Sequence, residues 1–201
     1  MISFDEVFSG SNNVQLFPFT SPPLIAPFWC DANTRIHGRV FYRIVTDDDA
    51  LLERARKEVM GYFIDFQSFV PTYLVIVTWH EVGYVSGTDL VSTVLIYSLH
   101  NLKYTYPFTL QYNTFQAVLI ADERNSFVCF FYLDSGINWP SIDYAPNCQA
   151  GFNYGNQIRY LNLPNGMTHR MADIEDTSNI HSPGKWLFHV DLYRIDSPPC
   201  T

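Results

Sequence analysis

Charge is scarce in this sequence. Only 16% of its 201 residues are Asp, Glu, Lys or Arg, against about 25% in an ordinary globular domain. Twelve basic residues face 20 acidic ones, for a net charge of −8. An overall basic footprint for nucleic acid and a polybasic stretch for acidic lipid are both absent. Long apolar runs are missing too. Residues 104–121 lack charge but carry Pro107, Gln111, Asn113 and Gln116, which a membrane-spanning helix would bury at a cost. The opening Met1-Ile2-Ser3-Phe4-Asp5-Glu6 has neither the basic nor the apolar region of a signal peptide. Cysteine is sparse and dispersed, at Cys30, Cys129, Cys148 and Cys200. No Cys-x-x-Cys pair points to zinc or thioredoxin chemistry. Two disulfides or buried free thiols remain open, with three pairings possible. Within Phe127-Val128-Cys129-Phe130-Phe131, Cys129 reads as a buried, inert thiol. No Asn-x-Ser/Thr sequon, internal repeat or low-complexity stretch occurs.

What the chain does have is apolar mass and aromatic rings. Hydrophobic residues make up 47%, with 16 Phe, 13 Tyr and 4 Trp, enough for one large core and incompatible with disorder. Such rings favour half-buried strands. Residues 1–23 read as loop, broken by Pro18, Pro22 and Pro23. Strands are expected at 24–29, 39–45, 73–79, 115–121, 126–133, 149–154, 159–163 and 186–192. The turn Asp122-Glu123-Arg124-Asn125 joins two of them as a hairpin. One helix is expected at 48–63. Thr46 and Asp49 have capping-box spacing, acid fills the first turn, and Leu51, Ala55, Val59 and Phe63 recur every four residues. Glu53 and Lys57 pair on the opposite side. The expected fold is mainly β, an antiparallel β-sandwich-like domain with one amphipathic helix packed on one face.

Chemistry-bearing patterns are few. His37, His80, His100, His169, His181 and His189 share no metal-ligand spacing. His80-Glu81 lacks the second histidine of a zincin and falls on a strand. Asp47-Asp48-Asp49 is explained by helix capping. Asp31 and Asn33, in the loop leaving a strand, are the candidate oxygen ligands for a hard cation, although turn capping also accounts for them. Ser9-Gly10-Ser11 lacks a nucleophile-elbow context, and no Gly-x-Ser-x-Gly, Gly-x-Gly-x-x-Gly or Walker motif is present. No catalytic residue, cofactor or resident metal is expected. Tyr104, Tyr106, Tyr112, Tyr144 and Tyr154 are candidates for a sugar-stacking or protein-binding face.

Three stretches carry a family resemblance. The first is Pro27-Phe28-Trp29-Cys30-Asp31-Ala32-Asn33-Thr34-Arg35, leading into Gly38-Arg39-Val40-Phe41-Tyr42-Arg43. The second is Thr78-Trp79-His80-Glu81-Val82-Gly83-Tyr84, continued by Asn113-Thr114-Phe115-Gln116-Ala117-Val118-Leu119. The third is Gln149-Ala150-Gly151-Phe152-Asn153, continued by Asp176-Thr177-Ser178-Asn179-Ile180 and by Pro183 to Asp191. In order and spacing they resemble the nidogen-like (NIDO) domain, of the alpha-tectorin and nidogen type. The resemblance implies an extracellular, non-enzymatic module of mosaic matrix or cell-surface proteins, acting in cell–matrix adhesion and matrix assembly. The implied partners are extracellular matrix proteins. It carries over no catalytic residue. A secreted carbohydrate-binding or carbohydrate-active domain is the alternative. On this reading the chain is one domain at 1–195, with core motifs at 27–192 and a tail at 196–201. The lack of a signal peptide marks it as a fragment or an incomplete gene product.

The stretch at about 88–111 departs from the family pattern, which has a short turn there. A link this long is uncommon inside a compact domain. Tyr106-Pro107-Phe108-Thr109-Leu110-Gln111 is what a pyrimidine-rich tract followed by CAG encodes, so a retained intron read in frame is one account. A genuine insertion forming a strand or helix is the other. Spliced transcripts decide between them. The intron account expects the segment to be missing from most messages, and abundant message containing it sinks that account.

Overall fold

The structure, a computed structural model, describes residues 1–4, 16–20, 22–35, 37–83, 112–139, 148–191 and 194–199. The insertion at 88–111, together with Ser9-Gly10-Ser11, His100, Tyr104, Tyr106, Tyr144 and Cys200, lies outside the described residues. In chain order the described elements begin with β1 (Ile2–Ser3), β2 (Leu24–Trp29), β3 (Arg39–Val45) and α1 (Asp49–Tyr62). There follow β4 (Tyr73–Val82), β5 (Asn113–Ala121), β6 (Ser126–Ile137), β7 (Gln149–Asn153), β8 (Tyr160–Asn162), β9 (Lys185–Val190) and β10 (Ile195–Asp196). Short 3₁₀ helices occupy Ile64–Phe66 and His169–Glu175. The strands form two antiparallel sheets, ordered β1-β2-β7-β8 and β10-β9-β6-β5-β4-β3. The mainly β, sandwich-like fold expected from the sequence is what the structure has.

Strand alternation divides the larger sheet's side chains between two cores. Val77 and Trp79, Phe115 and Ala117, Val128 and Phe130, and Trp186 and Phe188 face the smaller sheet. There they meet Ile25, Phe28, Ala150 and Phe152. Phe130 stacks on Phe152 at 5.3 Å, and Phe28 meets Phe115 at the same centroid distance. Leu74, Ile120, Phe127, Cys129 and Leu187 point the other way and meet Ala55, Val59 and Phe63 of α1. Leu51 joins them, partly buried. The predicted apolar stripe of the helix is therefore its packing face. Glu58 of α1 reaches Lys185 of β9 at 2.6 Å, a half-buried ion pair that ties helix to sheet.

Two details differ from the sequence-based expectation. The helix cap is Asp48, whose carboxylate accepts from Leu51 N–H at 3.1 Å, rather than Thr46. Three consecutive carboxylates follow Thr46, and each is a suitable cap by residue type, so the local pattern leaves the choice open. Second, β4 and β6 run on to Val82 and Ile137, past the predicted ends at 79 and 133. Register shifts let them continue beyond local irregularities, where Glu81 and Ser135 adopt positive φ.

A disulfide joins Cys30 to Cys148, with Cα atoms 4.7 Å apart and a sequence separation of 118. It closes the ends of β2 and β7, where Trp29 pairs with Gln149. Cys129 is free and buried, and burial pushes its thiol far above the ordinary value. Gly151 of β7 has φ +143°, and an added Cβ would sit 1.9 Å from the Leu161 carbonyl oxygen of β8, so only glycine permits this approach. Replacing both Cys30 and Cys148 by Ala is expected to remove about 4–5 kcal/mol of stability on the chain-entropy account of a loop this long. Denaturant titration against the unmodified protein measures it.

Candidate interaction surface

The loop after β2 carries Asp31 and Asn33, and its backbone is stitched to the end of β4. Asn33 N–H donates to the Gly83 carbonyl at 2.9 Å, and Gly83 N–H donates to the His37 carbonyl at 3.3 Å. The His37 ring bonds the Glu81 carbonyl through Nδ1 at 2.9 Å and stacks on Tyr112 at 3.8 Å. Asn33 Oδ1 accepts from Arg35 N–H at 3.0 Å, an Asx-type turn. Burial raises the Asp31 carboxyl above its ordinary value. Among the described residues no group of three or more His, Cys, Asp or Glu is placed to hold a metal ion.

Other sequence candidates are dispersed. His80 lies exposed on β4, 3.9 Å from the Glu81 carboxylate. His189 is buried against Phe66 and Phe127, at 4.6 and 4.9 Å. Tyr154 donates its hydroxyl to the Asp191 carbonyl at 2.7 Å, and burial, then the Asp191 carboxylate, raises its pKa. Tyr112 stacks one ring face on His37. Asp47 and Asp49 flank the helix cap already described.

The surface that the structure does assemble is β3. Among the described residues it is the terminal strand of the six-stranded sheet, and every residue from Arg39 to Ile44 is exposed. Val40, Phe41, Tyr42 and Ile44 retain 46, 52, 77 and 64% of their accessible surface. Full register with β4, from Arg39 opposite His80 to Val45 opposite Leu74, fixes which side chains share a face. Val40, Tyr42 and Ile44 lie on the inter-sheet side, beyond the reach of the smaller sheet. Arg39, Phe41 and Arg43 lie on the helix side. Gly38 starts the strand at φ +92°, where a Cβ would meet the Glu81 carbonyl at 2.4 Å. A row then crosses the sheet from Phe41 through Thr78, Gln116 and Phe131 to Lys185. Beside α1, Thr78, Gln116, Phe131 and Lys185 of this row line an open groove of about 330 Å³, together with Ile76, Val118 and Leu133.

Sequence reasoning placed the strand 39–45 correctly but gave it no surface role. One signal was available. Arg39 and Arg43 put two charges into seven residues, whereas the neighbouring stretch 73–79 has none. Charge on a strand is a common protection of a sheet edge.

The profile described as "Nidogen-like domain" matches residues 1–192. Alpha-tectorin of Mus musculus is 36% identical over 98% of this chain, and that of Homo sapiens 35% over the same share; each match covers 8% of the relative. Nidogen-2 of Mus musculus is 29% identical over 87% of the chain and 12% of its own length. This chain thus spans under a tenth of the alpha-tectorins. No solved structure matches it. With Asn33 engaged as a turn cap, adding calcium or EDTA is expected to leave the melting temperature unchanged; a calcium-dependent rise abolished by Asp31→Ala would restore the cation reading.

Proposed function

The chain belongs to the nidogen-like domain family, and from that premise we propose that it is a non-enzymatic extracellular module of a mosaic matrix or cell-surface protein. Its role is cell–matrix adhesion and matrix assembly through protein–protein binding, with extracellular matrix proteins as partners. The observation that carries this reading is β3, a seven-residue edge strand with four large apolar side chains left in solvent. An open strand edge supplies backbone donors and acceptors to an incoming strand, and alternate side chains select it. The Cys30–Cys148 disulfide supports an oxidising, extracellular setting. The acidic balance offers nucleic acid no footprint.

The test sets purified matrix proteins against a glycan array, using the purified chain as probe. Saturable binding to a matrix protein without turnover of any glycan is expected. Hydrolysis of a glycan, abolished by neutralising one acidic pair, would overturn the proposal in favour of a carbohydrate-active domain.

A further inference from the structure

Resting on the reading of β3 as a binding edge, we infer that its partner is a second copy of this chain, paired antiparallel about a two-fold axis through Tyr42. Directly opposed residues of antiparallel strands share a face, so the register can be written residue by residue. With the axis at Tyr42, Val40 faces Ile44 of the second copy and the two Tyr42 rings meet. One face becomes a continuous apolar row. On the other face Phe41 lies opposite Arg43 of the second copy, twice over by symmetry, which suits a guanidinium over an aromatic ring.

The neighbouring registers fail on charge. An axis at Phe41 sets Arg39 opposite Arg43, and an axis at Arg43 sets the two Arg43 side chains against each other. Like charges directly opposite destabilise a strand pair. Charge at the strand ends selects the same arrangement. Exposed Arg35 and Arg39 precede or open the strand, while exposed Asp47 and Asp49 follow it. None of Arg35, Arg39, Arg43, Asp47 or Asp49 makes an ion pair among the described residues. Antiparallel pairing brings each basic end beside an acidic end, and parallel pairing would set acid against acid. These local attractions act where two bodies of net charge −8 would otherwise repel. The assembly also closes. The opposite edge of the sheet is β10, two residues long, whose Asp196 is occupied by Arg194 at 2.8 Å. It offers no comparable template for an open array.

Sedimentation velocity on the full chain, with single-cysteine variants in a Cys200→Ser background, tests the pairing. The expected result is a concentration-dependent dimer. Tyr42→Lys, at a side chain that buries little, sets two like charges on the axis. It is expected to raise the dissociation constant at least tenfold with an unchanged melting temperature. A short thiol-to-thiol reagent should cross-link Tyr42→Cys to itself. It should leave Ile44→Cys alone monomeric but join a mixture of Val40→Cys and Ile44→Cys. A chain that stays monomeric up to about 100 μM, far above the micromolar range of transient complexes, overturns the inference, as does cross-linking in any other register. If Tyr42→Cys in that monomer reacts slowly with maleimide, another segment of the same chain covers the edge. If the monomer binds a matrix protein through β3, this inference falls while the adhesion reading stands. Dimerisation without binding to any matrix protein reverses that outcome.

Discussion

Alternation of side chains along β4, β5, β6 and β9 is the constraint on which the molecule depends. Alternate residues face the aromatic core between the sheets, and those between face the helix side, where Leu74, Ile120, Phe127, Cys129 and Leu187 are buried. A sheet buried on both faces cannot slip by one position, because a slip would exchange the two sets wholesale. Phe127 and Phe130, both at 0% exposure on the same strand, show how fully each side is used. The helix, the smaller sheet and the disulfide are arranged around that register.

Polar groups hold the parts that strands alone would leave loose. Asn113, fully buried, donates to the Trp139 carbonyl at 2.8 Å and accepts from the backbone N–H groups of Asn138 and Trp139. Trp139 in turn donates its indole N–H to the Val82 carbonyl and packs edge-on against Phe28. Glu175 accepts from the backbone N–H groups of Ser135, Gly136 and Ile137, which steadies the irregular end of β6. On the outer face of the smaller sheet, Asn153 bonds both N–H and C=O of Phe19, and Gln149 accepts from Phe17 N–H. These side chains stand in for a further strand over Phe17 and Phe19. Among the described residues no buried side-chain polar atom lacks a partner.

Cover is uneven across the larger sheet, and the candidate binding edge follows from that. The helix overlies the end of the sheet near Val45, Leu74 and Ile120. The smaller sheet overlies β5, β6 and β9 but stops short of β3. Two protective layers run out at the same strand. A strand with four large apolar side chains and two arginines is thus left exposed on both faces.

The sequence by itself determined most of the local structure. A short apolar stretch marked 24–29, and the stretch after the His37-Gly38 turn marked 39–45, each to the residue. The four-residue apolar repeat named the helix face, because both signals depend only on neighbours along the chain. It also carried the family likeness. It missed β1, β10 and the 3₁₀ helix His169–Glu175, which are short and owe their shape to what they lie against. Asp31 and Asn33 were legible as loop residues, but whether an oxygen is free or already capping a turn is a matter of three-dimensional geometry. The pairing of Cys30 with Cys148 was one of three open possibilities until β2 and β7 came together across 118 residues. The exposure of β3 is the same kind of fact. Arg39 and Arg43 hint at an edge in one dimension, but it is the order of strands in the sheet, set by contacts distant in sequence, that places this strand at the end.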